Sequence, residues 1–222
     1  MSKAIALTPK QIKRVLQTCL LMQNSESKRC ALVLSHAAMR VSEIGLLETK
    51  TILFPSGEIK EEIHLPSKIC KNLKPRTIWL TNQITRKVIQ EWIDYRLNRR
   101  WGTMIDKSKF QGLNPNSRFI FNNRGRPYSI QPKPRKMQDG SVIVYRACDA
   151  LEAQIRCVYK KCGLNGASSH SGRVSFCTNS VIEHGVKLEQ LARILGHSDP
   201  QTTLGYIQIS EKRLAEMYSV AL

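Results

Sequence analysis

The sequence predicts an α+β fold that is dominated by helices and contains one small antiparallel β-sheet. Apolar residues recur at helical spacing over several long stretches, and two short runs typical of strands flank a basic linker in the first half of the chain. No linker separates two apolar cores. The 222 residues, 41% of them hydrophobic, suit one sizeable globular domain. We therefore expect a single domain over residues 1–222.

The N-terminal part reads as three helices. Thr8 can cap the first one, and Pro9 suits its first turn. A second helix, from about Ser27 to Met39, is apolar on several faces, which is typical of a helix inside a core. A short third helix begins near Ser42.

The middle of the chain contains the predicted strands. Residues 58–65 and 76–80 would pair as an antiparallel hairpin, with a basic linker between them. Asn82 can cap a long helix that runs to about Arg100. A further short strand is predicted over residues 118–121.

The second half is predicted to return to helices. Residues 131–140 contain prolines, lysines and a glycine, which favour a mobile loop. Residues 141–162 are predicted to be helical. Three short helices should follow, broken near Gly185, Gly196 and Pro200.

The charge of the chain indicates a polyanionic partner. It carries 35 Lys and Arg against 17 Asp and Glu, a formal net charge of +18 with a pI near 9.9. Such an excess is typical of nucleic-acid binding, although charge alone leaves RNA and anionic lipid as alternatives to DNA. No apolar run reaches the roughly 18 residues of a membrane span, and no secretory signal begins the chain. We expect a soluble, intracellular protein.

The last quarter of the chain contains the groups that phosphodiester chemistry without a metal requires. Such a reaction needs cationic donors around the phosphate, a nucleophile in line with the leaving oxygen, and an acid to protonate that oxygen. Arginine suits the first task because its planar fork binds two phosphate oxygens at once. Arginine, histidine and tyrosine occur together within residues 169–173 and 195–206.

These two segments resemble the tyrosine recombinase (phage integrase) family, whose motifs are H-x-x-R, L-G-H and T-x-x-Y. The family's tyrosine lies nine residues after the second histidine, and Tyr206 lies nine residues after His197. Residues 38–47 resemble the family's first box, A-x-R-x-S-E-x-x-x-L. Val174 departs from the family, which usually has histidine there. The resemblance covers nearly the whole chain in the right order.

The family's catalytic lysine lies in a β-hairpin, in a pattern that residues 71–80 match except that Trp79 replaces a proline. The register favours Lys71, with Lys68 and Lys74 as alternatives. The resemblance thus implies six catalytic residues: Arg40, Lys71, His170, Arg173, His197 and Tyr206.

Each of these residues has a role implied by the resemblance. Arg40, Arg173 and His197 would hold the phosphate, and Tyr206 would attack it. Lys71 would protonate the leaving oxygen. His170 would exchange the proton of the tyrosine, and Glu43 would hold Arg40 by ion pairing.

Several of these residues also have ordinary structural interpretations. Arg40 could favour a helix C-terminal dipole, His170 could cap a helix, and Glu43 could be a surface charge. Outside the six, the residues expected to contact DNA are Lys68, Lys74 and Arg76.

The resemblance implies a site-specific recombinase that cuts and rejoins double-stranded DNA through a 3′-phosphotyrosyl intermediate, leading to integration, excision or inversion. It would need neither a metal, a cofactor nor ATP. It would assemble as a tetramer on DNA, in the cytoplasm with the nucleoid, and accessory DNA-binding proteins could assist it. Two alternatives remain: a DNA-binding regulator that does not use the chemistry, and a type IB topoisomerase.

The chain length also carries expectations. The catalytic domain begins almost at once, so the family's N-terminal core-binding domain is expected to be absent, as in the small recombinases that invert fimbrial promoters. An amphipathic helix is predicted over residues 211–222, with its apolar face docked either on a neighbouring subunit or on its own core.

Overall fold

A computed structural model describes residues 4–137 and 139–209. The helices of this part, in chain order, are α1 (Pro9–Cys19), α2 (Ser25–His36), α3 (Val41–Leu46), α4 (Thr49–Ile52), α5 (Gln83–Arg99), α6 (Asp149–Lys161), α7 (Ser171–His184), α8 (Leu188–Leu195) and α9 (Gln201–Leu204). The strands are β1 (Glu62–Leu65), β2 (Arg76–Trp79), β3 (Gln131–Lys136) and β4 (Val142–Ala147). They form two separate antiparallel two-stranded sheets, and the predicted fold class is confirmed.

Helix α2 lies at the centre of the core, because its apolar residues cover several faces. It packs against α1, α3, α5, α6 and α7. The predicted cap of α1 is present: the Thr8 side chain accepts from the backbone of Gln11, whose side chain binds back to Thr8. α2 ends at His36 rather than at Met39, because Ala38 adopts a left-handed backbone with φ of +64°.

The first hairpin, β1–β2, confirms the predicted sheet. Ile63 pairs with Ile78, and both side chains are buried, as is Leu65. β1 begins at Glu62 and is therefore shorter than the predicted strand, which began at residue 58. Alternation of buried and exposed positions along β1 fits a sheet with one face on the core.

Helix α5 is held by a buried aromatic cluster. Asn82 caps it as predicted, accepting from Thr85. The Trp92 indole donates to the carbonyl of Phe119 over 2.8 Å, and fully buried Arg96 lies against the rings of Phe119 and Phe121.

Residues 118–121 are not the predicted strand. Their ends form isolated bridges, Glu48 with Arg118 and Phe121 with Pro127. The apolar pattern of this segment reflects its burial against α5 rather than membership of a sheet.

The second hairpin, β3–β4 with its connection (residues 131–147), corrects two predictions. We predicted a loop over residues 131–140 and a helix from residue 141; the structure has paired strands on both sides of a turn. The β-branched run from Val142 favours a strand over a helix. Pro132 and Pro134 are compatible with β3 because an edge strand does not need every N–H.

The C-terminal helices follow the prediction. α7 and α8 each end at a glycine with left-handed backbone, Gly185 and Gly196. They enclose a small second apolar cluster of Ala38, Cys177, Leu191 and Leu195. The amphipathic helix predicted over residues 211–222 lies outside the described residues. Among the described helices, none has the length and apolar character to cross a bilayer.

Candidate functional site

The carbonyl oxygen of Ala38 is the point at which two of the predicted site residues, Arg173 and Arg76, meet. It accepts from Nη1 of Arg173 and, over 2.9 Å, from Nη2 of Arg76. The left-handed backbone of buried Ala38, which costs an alanine about 1–2 kcal/mol, turns this carbonyl towards the two guanidinium groups. Two residues distant in sequence are thereby attached to the segment that precedes Arg40.

Glu43 connects Arg40 to Arg76. Its Oε1 lies 3.0 Å from Nη1 of Arg40, and its Oε2 accepts from the Arg40 backbone N–H at 2.7 Å. The same Oε2 is 2.5 Å from Nη2 of Arg76. The Glu43 side chain is fully buried, so it is not a surface charge. Arg40 lies at the N-cap of α3, which excludes the interpretation that it serves a helix C-terminus.

The site carries excess positive charge. Burial opposes ionisation of Glu43, but the neighbouring guanidinium groups of Arg76, Arg40 and Arg173 outweigh it and hold the pKa of Glu43 below its ordinary value. One carboxylate therefore faces three guanidinium groups. Such an arrangement has the charge to bind a phosphate.

Arg173 lies in the first turn of α7 and is fully buried. Its Nη2 donates to the carbonyl of Leu195 at 3.3 Å, and its Nε is buried without a partner among the described residues. Burial, followed by the charges of Arg40 and Arg76, lowers the pKa of Arg173 to about 10, so it remains a cation at pH 7.

His197 follows the left-handed Gly196 that ends α8. Its Nδ1 lies 2.9 Å from the hydroxyl of buried Thr203. Burial, together with the charges of Arg173 and Arg40, lowers the pKa of His197 to about 4. The imidazole is therefore neutral at pH 7, and when Nδ1 accepts from Thr203, Nε2–H is free to donate.

Tyr206 lies directly beside His197 and Arg173. Its ring centroid is 5.2 Å from that of His197 and 5.6 Å from Cζ of Arg173. Its backbone carbonyl accepts from the Thr178 hydroxyl at 3.1 Å, which joins the end of α9 to α7. The nine-residue spacing thus corresponds to direct proximity of the two rings.

His170 and Lys71 lie at the edge of this cluster. Both are exposed, His170 at the N-cap of α7 and Lys71 in a single 3₁₀ turn before β2. Partial desolvation, followed by the charges of Arg173, Arg40 and Lys71, lowers the pKa of His170 below its usual value. The charge of Lys71 also contributes to the low pKa of His197. The charge of Lys71 thus acts on both histidines.

The three residues expected to contact DNA have different surroundings. Lys68 pairs with Glu48 at 3.2 Å, and the Lys74 ammonium lies 2.5 Å from the hydroxyl of Ser198; both lysines are exposed. Arg76 is only 7% exposed, and its Nη1 and Nη2 donate to groups inside the protein, the carbonyls of Ile194 and Ala38 and the carboxylate of Glu43. We therefore assign Arg76 to the internal network and not to direct DNA contact.

Sequence reasoning did not assign a role to Ala38 or to Thr203. A left-handed alanine has no sequence signature, so only the structure could identify it. Thr203 is the threonine of the T-x-x-Y motif, and its position three residues before Tyr206 was a usable signal. Among the described residues, no group of three or more His, Cys, Asp or Glu side chains is placed to hold a metal.

The fold of this chain is similar to solved tyrosine recombinase structures. XerA recombinase aligns with a TM-score of 0.67 at 20% identity, over 97% of this chain and 62% of that one. The Tn1549 transposon integrase in complex with transposon right end DNA gives 0.61 at 18%, over 98% and 66%. A lambda integrase dimer bound to a COC′ core site gives 0.57 at 13%, over 94% and 49%.

The chain spans about half to two-thirds of the length of these proteins. No curated protein matches it in sequence. The model of the phage integrase family, however, matches residues 6–213, which includes every residue of the site. The chain belongs to the phage integrase family, the tyrosine recombinases.

Proposed function

We propose that this chain is a site-specific DNA recombinase that cleaves and rejoins double-stranded DNA with Tyr206 as nucleophile. The observation that carries the proposal is the contact of Tyr206 with both His197 and Arg173, in a site where three guanidinium groups face one carboxylate. The family membership supports it. Solved relatives of the same fold bound to DNA support the choice of partner.

Phosphate binding falls to Arg40, Arg173 and His197. Arg40 keeps 16% of its side chain exposed and is held by Glu43, so its remaining donors can reach a phosphate from a fixed position. Neutral His197 supplies a hydrogen bond from Nε2 without adding charge. As negative charge develops on the phosphorus oxygens, these donors stabilise it with little reorganisation.

The covalent step follows from the remaining residues. The Tyr206 oxygen attacks phosphorus and loses its proton to His170, while the bond from phosphorus to the 5′ oxygen breaks. Lys71 gives that oxygen a proton, so a free 5′ hydroxyl and a 3′-phosphotyrosyl bond result. A 5′ hydroxyl of a partner duplex then attacks the phosphotyrosine and releases Tyr206, so bond energy is conserved and no nucleotide is consumed.

The position of Tyr206 sets a condition on substrate binding. Arg173 is fully buried, and the Tyr206 ring lies over its guanidinium group. Binding of DNA must therefore separate Tyr206 from Arg173 before the arginine can contact a phosphate. We propose that this occurs when copies of the chain assemble on DNA as a tetramer, with or without accessory proteins.

A nicked suicide duplex tests the proposal. The DNA that flanks the gene is searched for inverted repeats, duplexes are made from those found, and a covalent protein–DNA adduct is detected by denaturing electrophoresis. Wild-type chain should form the adduct, and Tyr206→Phe should not. Tyr95→Phe is the matched control because it removes the same hydroxyl at a position that binds Asn24, in another part of the fold. It should form the adduct at the wild-type rate.

Three outcomes would contradict the proposal. Absence of any wild-type adduct favours a DNA-binding regulator. An adduct that persists in Tyr206→Phe identifies a different nucleophile. Relaxation of supercoiled plasmid without exchange between two sites favours a type IB topoisomerase.

A further inference from the structure

The second hairpin, residues 131–147, exposes apolar side chains next to basic ones. The exposed fractions are 61% for Val142, 67% for Val144 and 41% for Tyr145. The described core does not cover them, although side chains of this kind usually provide the apolar face of a sheet. A two-stranded hairpin is also only marginally stable on its own. We therefore expect a binding partner to cover these exposed side chains.

The charge of the hairpin identifies the kind of partner. Residues 131–147 contain four basic residues and one acidic residue. The register places Lys133 opposite Tyr145 on one face, and Lys136 opposite Val142 on the other, so each face combines a basic residue with an exposed apolar group. The Lys133 ammonium lies 2.5 Å from the carboxylate of Asp149, at an exposed position where a phosphate can compete for it. A second copy of the chain would bring the same positive charge, whereas a duplex brings negative charge along its whole length.

The dimensions of the hairpin fit a groove. Each strand has six residues, so the ribbon is roughly 20 Å long at about 3.3 Å per residue. Its two strands lie about 5 Å apart, and the DNA major groove, about 12 Å wide, admits a two-stranded ribbon. Apolar side chains on such a ribbon can contact thymine methyl groups while lysines bind phosphates.

The base of the hairpin is attached to the site. A Cβ on Gly45 of α3 would lie 3.0 Å from Sγ of Cys148 and 3.1 Å from Cδ1 of Ile130, so the residues flanking the hairpin pack closely on α3. Gly45 is five residues after Arg40, about 8 Å along the helix. Arg146 donates to the carbonyl of Lys68, in the segment that leads to Lys71.

From these observations we infer that the second hairpin is a DNA-binding ribbon that enters a groove of the duplex beside the scissile phosphate. The inference rests on the proposed function for the position of that phosphate. Residues 131–147, which the sequence predicts as a loop and the start of a helix, would thus form part of the DNA-binding surface.

Photo-crosslinking tests the contact directly. The full chain is prepared with p-benzoylphenylalanine in place of Val144, and separately in place of Ile105, which is fully exposed and lies outside the hairpin. Each protein is irradiated with a labelled 40-base-pair duplex from the flanking repeats. Position 144 should crosslink to DNA, and position 105 should not. Crosslinks from position 144 only to a second protein chain, or to nothing, would overturn the inference.

Salt dependence gives a second measurement. Lys133→Gln combined with Lys136→Gln should lower the slope of log affinity against log salt by up to about 1.8, since each lost phosphate contact removes about 0.9. The control, Lys160→Gln with Lys161→Gln, removes the same charge from exposed positions in α6. An equal change in the control would show that only net charge matters and would contradict the inference.

The adduct assay on the same DNA separates this inference from the proposed function. An adduct without a crosslink from position 144 refutes the hairpin contact alone. A crosslink from position 144 without an adduct refutes the proposed chemistry and leaves the hairpin contact standing.

Discussion

Replacing Glu43 by glutamine tests whether the buried carboxylate holds the site together. Glu43 accepts from the backbone and side chain of Arg40 and from Arg76, and its side chain is fully buried. Glu43→Gln keeps the shape and one acceptor oxygen, but it removes the negative charge. Arg40, Arg76 and Arg173 then remain without their shared counter-charge.

The expected loss of stability is large. Removing one partner of a buried ion pair costs about 3–5 kcal/mol, because the other charge stays buried and unpaired. A domain of this size is stable by about 5–15 kcal/mol, so Glu43→Gln should remain folded at 25 °C only with a small margin. In the folded fraction, Arg40 loses its fixed position, and adduct formation should fall by about 100-fold.

The Glu43 carboxylate should also make the stability of the chain depend on pH. The pKa of Glu43 is lowered in the folded state, so its contribution to stability is present above the unfolded value of 4.5 and is lost as pH falls through the folded pKa. Wild-type chain should lose this contribution on acidification. Glu43→Gln has no carboxylate there to protonate and should lose correspondingly less.

Urea unfolding followed by tryptophan fluorescence measures both effects, at pH 7 and at pH 3. Glu62→Gln is the control, because the Glu62 side chain is 55% exposed and its loss should change the free energy of unfolding by less than about 0.5 kcal/mol. If Glu43→Gln unfolds within 1 kcal/mol of wild type, the interpretation of Glu43 as the counter-charge of the site is wrong.

Three further predictions concern the surroundings of the site. Gly172→Ala would place its Cβ 2.6 Å from the backbone carbonyl carbon of Ser35, so α7 must move away from α2. We expect the free energy of unfolding in urea to fall by about 2 kcal/mol or more. The Cβ of the control, Gly205→Ala, meets only an ordinary contact at 3.5 Å, so its free energy of unfolding should stay near that of wild type. Burial lowers the pKa of His36 to about 4, so the unfolded chain binds a proton there first as the pH falls. His36 alone should therefore lower the stability of the wild-type chain by about 2 kcal/mol between pH 7 and pH 5. His36→Gln should abolish that part of the pH dependence, and an unchanged pH slope would refute it. His197→Asn keeps a hydrogen-bond donor, so its rate of adduct formation should be within about 10-fold of the wild-type rate. His197→Leu has no donor, and its rate should fall by about 100-fold or more. Equal rates for the two variants would exclude His197 as a donor to the phosphate.

The position of Tyr206 shows what motif spacing can predict. The eight residues between His197 and Tyr206 form a turn and α9, local structures that place the two rings 5.2 Å apart. The segment is short, so its geometry follows from local rules. For the same reason the caps of α1 and α5 could be predicted from Thr8 and Asn82 alone.

Arg76 and the second hairpin show where such reasoning fails. In the sequence, Arg76 is one more basic residue next to a basic linker. Only its contacts with Ala38, Glu43 and Ile194 show that it is an internal cation. Residues 141–162 were predicted to be helical, but residues 142–147 pair with β3, and this pairing depends on a second segment of the chain. Both depend on residues distant in sequence.

The sequence by itself determined the family, the helical α+β class, the excess of positive charge and the identity of the residues around Tyr206. These follow from composition, periodicity and short fixed spacings, which are local properties of the chain. Only the tertiary structure decided which charges are buried, because a buried charge depends on what packs around it. It showed that Ala38 and Glu43 join Arg40, Arg76 and Arg173, and that apolar side chains of the second hairpin are exposed in the part of the chain that the structure describes.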